Sequence, residues 1–128
     1  MKVIKQKIIL NTTPHQLYEA ILNPRIHSQF TGSKATNTGK LGGKFTAYDG
    51  YAFGKNIKLE KDKKIVQSWS TTDFPDTITE ITFQFNRIGN KTELTFTQTG
   101  VPDKFFNEIS KGWKDFYWKP LKEMFGDN

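Results

Sequence analysis

Residues 2–10 alternate between polar and apolar positions and are rich in isoleucine, which predicts a strand. The run Thr13-Pro14-His15-Gln16 then reads as a helix start. Thr13 suits the N-cap, Pro14 the first helical position, and Gln16 completes a capping box. Leu17, Tyr18, Ile21 and Leu22 follow at helical spacing, Asn23-Pro24 ends that helix, and residues 24–29 form a second short one.

From residue 33 to 98 the period falls to two. Phe45 and Ala47 share a face after Gly42-Gly43, Asp49-Gly50 is a turn dipeptide, and Gly54 marks a bulge. Ile57 and Leu59 share a face. After a turn at Lys61-Asp62-Lys63, Ile65, Gln67 and Trp69 point one way. Residues 72–76 are a loop. In 77–86, Thr79, Ile81, Phe83 and Phe85 oppose Glu80, Thr82 and Gln84. Gly89-Asn90 turns the chain into 91–98, where Leu94 and Phe96 point inward. The pattern is that of an antiparallel sheet with one wet face.

Helical spacing returns over 103–125. Phe106, Ile109, Trp113, Phe116 or Tyr117, Leu121 and Met124 form an apolar stripe, and Pro120 kinks or restarts the last turn. The order predicts an α+β fold. A curved antiparallel sheet of six to seven strands wraps around a long C-terminal helix, with two short helices after the first strand.

Composition narrows the classes. The 128 residues predict one domain, 1–128, and the absence of cysteine removes disulfides, thiolate chemistry and Cys-type zinc sites. No apolar run approaches a membrane span and the N-terminus alternates too strictly for a signal peptide, so a soluble cytoplasmic protein without membrane insertion is expected. The net charge is +6, and residues 1–64 carry 12 of the 19 basic side chains. The densest run is Lys58, Lys61, Lys63 and Lys64, a solvated hairpin turn. With Arg25 and Arg87 the only arginines, nucleic acid is not an expected partner.

Catalytic and metal signals are weak. His15 and Glu19 stand at i, i+4 but lack the further ligands that a metal site needs, and they read as an exposed pair. His27 reads as a capping or surface residue. The glycines lack the Gly-Lys-Ser/Thr ending of a phosphate loop. Asp49 would serve as an acid or base only if it were interior; otherwise it is a turn residue. The expectation is no catalytic set, no metal and no cofactor.

The aromatics carry more information, at 14% of the chain. They either fill the space between sheet and helix or line an apolar pocket there. The candidate lining is Phe45, Trp69, Phe83, Phe85, Phe96, Phe106, Ile109, Trp113 and Tyr117, with Gln67 and the Trp69 N–H as orienting groups.

Several strings together resemble one family. They are Gly42-Gly43-Lys44-Phe45, Tyr48-Asp49-Gly50-Tyr51, Gly54-Lys55-Asn56, Ile65-Val66-Gln67-Ser68-Trp69, Thr99-Gly100-Val101-Pro102, and Gly112-Trp113 with Tyr117-Trp118. Leu17-Tyr18-Glu19-Ala20 and the segment 27–32 fit it too. In order and spacing the chain is similar to the activator of heat-shock protein 90 ATPase homologues, a branch of the START-like (SRPBCC) superfamily. The resemblance implies a helix-grip fold and a cavity for a hydrophobic small molecule or lipid. It implies as alternative a co-chaperone-like domain that docks a heat-shock protein 90 family chaperone. Relatives across the superfamily occur as monomers and dimers.

Overall fold

The computed structural model describes residues 2–126. Strand β1 (Lys2–Leu10) leads into helices α1 (Pro14–Leu22) and α2 (Pro24–Thr31). Six strands follow: β2 (Thr36–Asn37), β3 (Lys44–Ala47), β4 (Ala52–Glu60), β5 (Lys64–Thr71), β6 (Thr79–Ile88) and β7 (Lys91–Val101). A 3-10 turn (Asp103–Phe105), α3 (Phe106–Trp113), a π-helical turn (Lys114–Trp118) and α4 (Lys119–Phe125) make one long C-terminal rod. The sheet order is β1-β7-β6-β5-β4-β3-β2, every neighbour antiparallel. It curves around the rod, as the element order predicts, and this is the helix-grip arrangement that the resemblance implies.

Local chemistry explains the first half. Thr13 Oγ1 accepts from the Gln16 backbone N–H at 3.2 Å, closing the capping box that starts α1. Asn23 serves two helices. Its backbone N–H ends α1 on the Glu19 carbonyl at 2.7 Å, and its side chain caps α2 by accepting from the Arg25 N–H at 3.0 Å.

The sheet's inner face follows the alternation. Ile81, Phe83 and Phe85 of β6 and Leu94 and Phe96 of β7 are buried, and Phe83 sits opposite Phe96 with ring centroids 5.3 Å apart. Each such side chain contributes roughly 1.5–3 kcal/mol through removal from water.

Three expectations need correction. Gly54 is not a bulge: it pairs regularly with Phe45, and a Cβ there would lie 1.9 Å from the Ser68 carbonyl oxygen. Glycine is required by close strand approach. The irregularity falls between Asn56 and Lys58, so Ile57 is exposed while Leu59 packs against the core. A bulge shifts the face of every later residue, which is why the two do not share one. Met124 lies at the exposed edge of the C-terminal stripe, whereas Trp118 is buried.

That last change comes from the π turn. The Lys119 N–H bonds the Lys114 carbonyl, five residues back, so Tyr117 and Trp118 are both buried and Phe116 points outward. Pro120 has no N–H to offer the turn before it. The Phe116 carbonyl instead accepts from the Tyr48 hydroxyl.

A buried polar chain ties the rod to the sheet. The Trp113 indole N–H donates to Gln98 Oε1 at 2.8 Å, Gln98 Nε2 donates to Thr79 Oγ1 at 2.9 Å, and the Thr79 hydroxyl donates to the Trp69 carbonyl at 2.7 Å. Gln98 is fully buried. Gln98→Leu therefore strands the Trp113 N–H and lowers unfolding free energy by about 1–3 kcal/mol in a urea titration. Adding Trp113→Phe to that variant costs less than the same change in the parent protein, because the acceptor is already gone.

Candidate functional site

Between β5, the turn joining β3 to β4, the loop after β5 and the face of α3 lies a cavity of about 330 Å³. Its back wall is Trp69 from the sheet with Trp113 and Tyr117 from the rod. The Trp69–Trp113 and Trp113–Tyr117 centroids are 5.5 and 4.6 Å apart. One side is the stacked pair Phe74 and Phe105, 4.9 Å apart at 23°. The other is Tyr48 against Phe116, 5.7 Å apart. Ala52 and Gly112 are the small residues that leave the space, with Ile109 beside them.

The turn that supplies Tyr48 and Tyr51 is strained. Tyr48 and Asp49 have φ of 50° and 55°, a left-handed backbone that costs non-glycine residues about 1–2 kcal/mol each. The strain aims Tyr48 at the rod, where its hydroxyl meets the Phe116 carbonyl.

All three lining tyrosines commit their hydroxyl protons to the protein. Tyr48 donates to Phe116, and burial pushes its pKa up to about 12. Tyr51 donates to Asp73 Oδ2 at 2.7 Å. Desolvation, then the Asp73 hydrogen bond, push it up to about 12. The neighbouring Thr71 hydroxyl is buried without a hydrogen-bond partner. Tyr117 is fully desolvated and raised far above its ordinary value. His27 Nδ1 lies 3.0 Å from the Ile21 carbonyl and so carries the proton; the Tyr117 hydroxyl then donates to Nε2 at 3.0 Å.

The predicted lining divides. Trp69, Ile109, Trp113 and Tyr117 meet at the cavity. Phe45 and Phe83 border a separate void of about 10 Å³, too small for a ligand. Phe85 packs edge-on against Tyr18 at 6.2 Å, and Phe96 against Trp113 at 4.3 Å. Phe106 lies under the Lys2 ammonium, 5.0 Å from its centroid. These rings fill the core or cover its flank, so both uses of the aromatics occur, in different halves of the interior. Gln67 does not face the cavity; its Nε2 donates to the buried Asn56 Oδ1 at 2.9 Å.

Alternation does not reveal Tyr48, Tyr51, Asp73, Phe74, Phe105 and Glu108, because they sit on turns and at the rod's start. Gln98 was reachable: it continues the inward series Leu94, Phe96.

Other candidates resolve plainly. Asp49 is exposed in its turn, which removes it as a buried acid or base. His15 pairs with Asp62 at 2.8 Å rather than with Glu19. His27 is buried in the core, not capping or surface-placed. No metal-binding cluster occurs among the described residues, and none of their helices is long and apolar enough to cross a membrane.

Comparison with known proteins decides the family. The family model described as Activator of Hsp90 ATPase homolog 1-like protein matches residues 11–126. The chain belongs to this family. It is 30% identical over 116 residues to the human Activator of 90 kDa heat shock protein ATPase homolog 1, covering 90% of this chain and 34% of that one. The chain thus spans about a third of the length of that relative. Two solved structures share the fold. An HSP90 activator from Plasmodium falciparum has TM-score 0.89 and 22% identity, covering 97% of this chain and 96% of that one. The solution structure of the Aha1 dimer from Colwellia psychrerythraea has TM-score 0.84 and 20% identity, covering 98% and 97%.

Within this Hsp90-activator-like domain, His27 links the cavity wall to stability. Burial holds its pKa below the ordinary value, against the opposing effect of the Ile21 carbonyl. The folded state keeps it neutral while the unfolded chain takes up a proton near pH 6.5. Its contribution is complete above about pH 6.5 and is lost as pH falls toward the lowered folded value. The urea midpoint therefore drops between about pH 7.5 and about pH 5.5, and His27→Gln reduces that drop.

Proposed function

We propose that the chain is a non-catalytic binding module that holds an apolar small molecule in the cavity between sheet and rod. Gly112 carries the reading. It sits inside α3 without positive φ, where glycine costs about 1 kcal/mol relative to alanine. A Cβ there would meet only Phe116 Cδ2, at 3.9 Å. Neither backbone nor packing demands glycine at this position; its effect is to keep volume open where α3 lines the cavity. The volume lies at the lower end of the range for small-molecule sites, and the walls are largely aromatic.

Trp113→Ala is a poor test because Trp113 anchors the rod. Gly112→Leu fills the cavity from the helix without touching that anchor. N-phenylnaphthylamine fluorescence on the parent protein shows saturable one-site binding. Gly112→Leu loses it while gaining about 0.8 kcal/mol of stability. Unchanged binding in the folded variant would remove the cavity from the function.

A second reading has its own observation. The relatives are named as activators of the 90 kDa heat shock protein ATPase, and this chain carries a basic groove between β1 and α4. Lys5, Lys7, Lys114, Lys119 and Lys122 border it, with Glu123. Its five lysines against one carboxylate suit an acidic chaperone surface; Lys7 lies 3.8 Å from Glu93 there, as Lys58 lies 3.6 Å from Glu60 in the β4–β5 hairpin. With a purified Hsp90-family chaperone, association weakens as salt rises, since exposed charges are screened within about 8–10 Å at physiological ionic strength. Lys119→Glu with Lys122→Glu weakens it further, while Lys61→Glu with Lys63→Glu does not. Binding indifferent to both pairs counts against docking.

A further inference from the structure

The cavity's polar atoms restrict what it accepts, and this step rests on the ligand-binding reading above. Asp73 and Glu108 line it and no basic side chain does, in a chain whose net charge is +6. The hydroxyl protons of Tyr48, Tyr51 and Tyr117 are spent on Phe116, Asp73 and His27, so none of the three donates to a ligand, and the Tyr117 oxygen is itself buried against His27. The Trp113 N–H is spent on Gln98. Among the described residues the Trp69 indole N–H is the one lining side-chain donor without a protein acceptor. The polar complement is thus two carboxylates, the accepting oxygens of Tyr48 and Tyr51, and one neutral donor.

Ring faces make the same choice. An aromatic face carries negative charge density and attracts cations, most strongly for Trp and Tyr. At the rim a cation already uses such a face: the Lys104 ammonium lies 5.1 Å from the Phe105 centroid. Its charge offsets part of the two carboxylates, but Lys104 is not among the lining residues. A fatty acid or other apolar anion would meet two like charges and a single neutral donor.

We propose that the cavity selects an amphipathic organic cation, a protonated or quaternary amine with an aromatic or alkyl body. The body lies against Trp69, Trp113 and Tyr117, and the cationic end faces Asp73 and Glu108.

Three ligands of matched shape test this: phenylbutylamine, phenylbutanol and phenylbutyrate, titrated into the full chain by calorimetry at neutral pH. The amine binds about tenfold tighter than the alcohol, as expected for a cation near two exposed carboxylates and several rings. The carboxylate binds most weakly. Glu108→Gln, at an exposed position, cuts the amine's advantage over the alcohol severalfold, each affinity being measured on the folded variant. Glu108→Lys reverses the preference toward phenylbutyrate. If the alcohol binds but the amine holds no advantage, or keeps it fully in Glu108→Gln with Asp73→Asn, the cation inference falls and the cavity reading stands. If none of the three binds, both fall.

Discussion

The hydrogen bond from the Trp113 indole N–H to Gln98 sets how the rod lies on the sheet. Both groups are buried, and a buried indole N–H without an acceptor is costly. The rod cannot rotate about its axis or slide without losing that bond. With Trp113 pinned, Ile109 and Gly112 must face the cavity. Gln98 is itself held by Thr79, and Thr79 by the Trp69 carbonyl, so the polar chain runs from the rod through β7 and β6 to β5. The sheet strand that carries the cavity's back wall and the helix that closes it are thereby one unit.

The π turn completes the arrangement. A regular helix would present either Phe116 or Tyr117 toward the core, one turn beyond Trp113. The wider turn buries Tyr117 and Trp118 together and leaves Phe116 at the cavity's rim. Pro120 withholds a donor, and Tyr48, from the strained turn beside Phe116, replaces it. Backbone strain in the β3–β4 turn and irregularity in the rod are thus two ends of one contact along one side of the cavity. Such features persist where the surroundings hold them, and both stand at the candidate site.

Charge is divided over the surface in the same spirit. Lysines border the groove between β1 and α4, while the cavity lining holds two carboxylates and no basic side chain. A small ligand and a macromolecular partner would therefore meet different faces, and family membership in the Hsp90-activator-like group is compatible with either use.

Much of this was legible from the residues alone. Two-residue alternation in β5, β6 and β7, the capping box at Thr13 and the long apolar stripe after residue 103 are local signals, and each specifies its element with little help from the rest of the chain. The order of those elements then leaves few ways to bury one sheet face and one helix stripe together. The cavity was a different matter. Periodicity says that Phe83, Phe96, Trp69 and Trp113 all point inward, but not which rings meet and which leave a gap. That depends on the angle and depth at which the rod crosses the sheet. The bulge at Ile57 and the acidic rim were likewise invisible, because they arise from strand register and from loops brought together across the fold. Local patterning determined the elements; only the packing of large rings in three dimensions decided where the interior stayed open and which charges surround the opening.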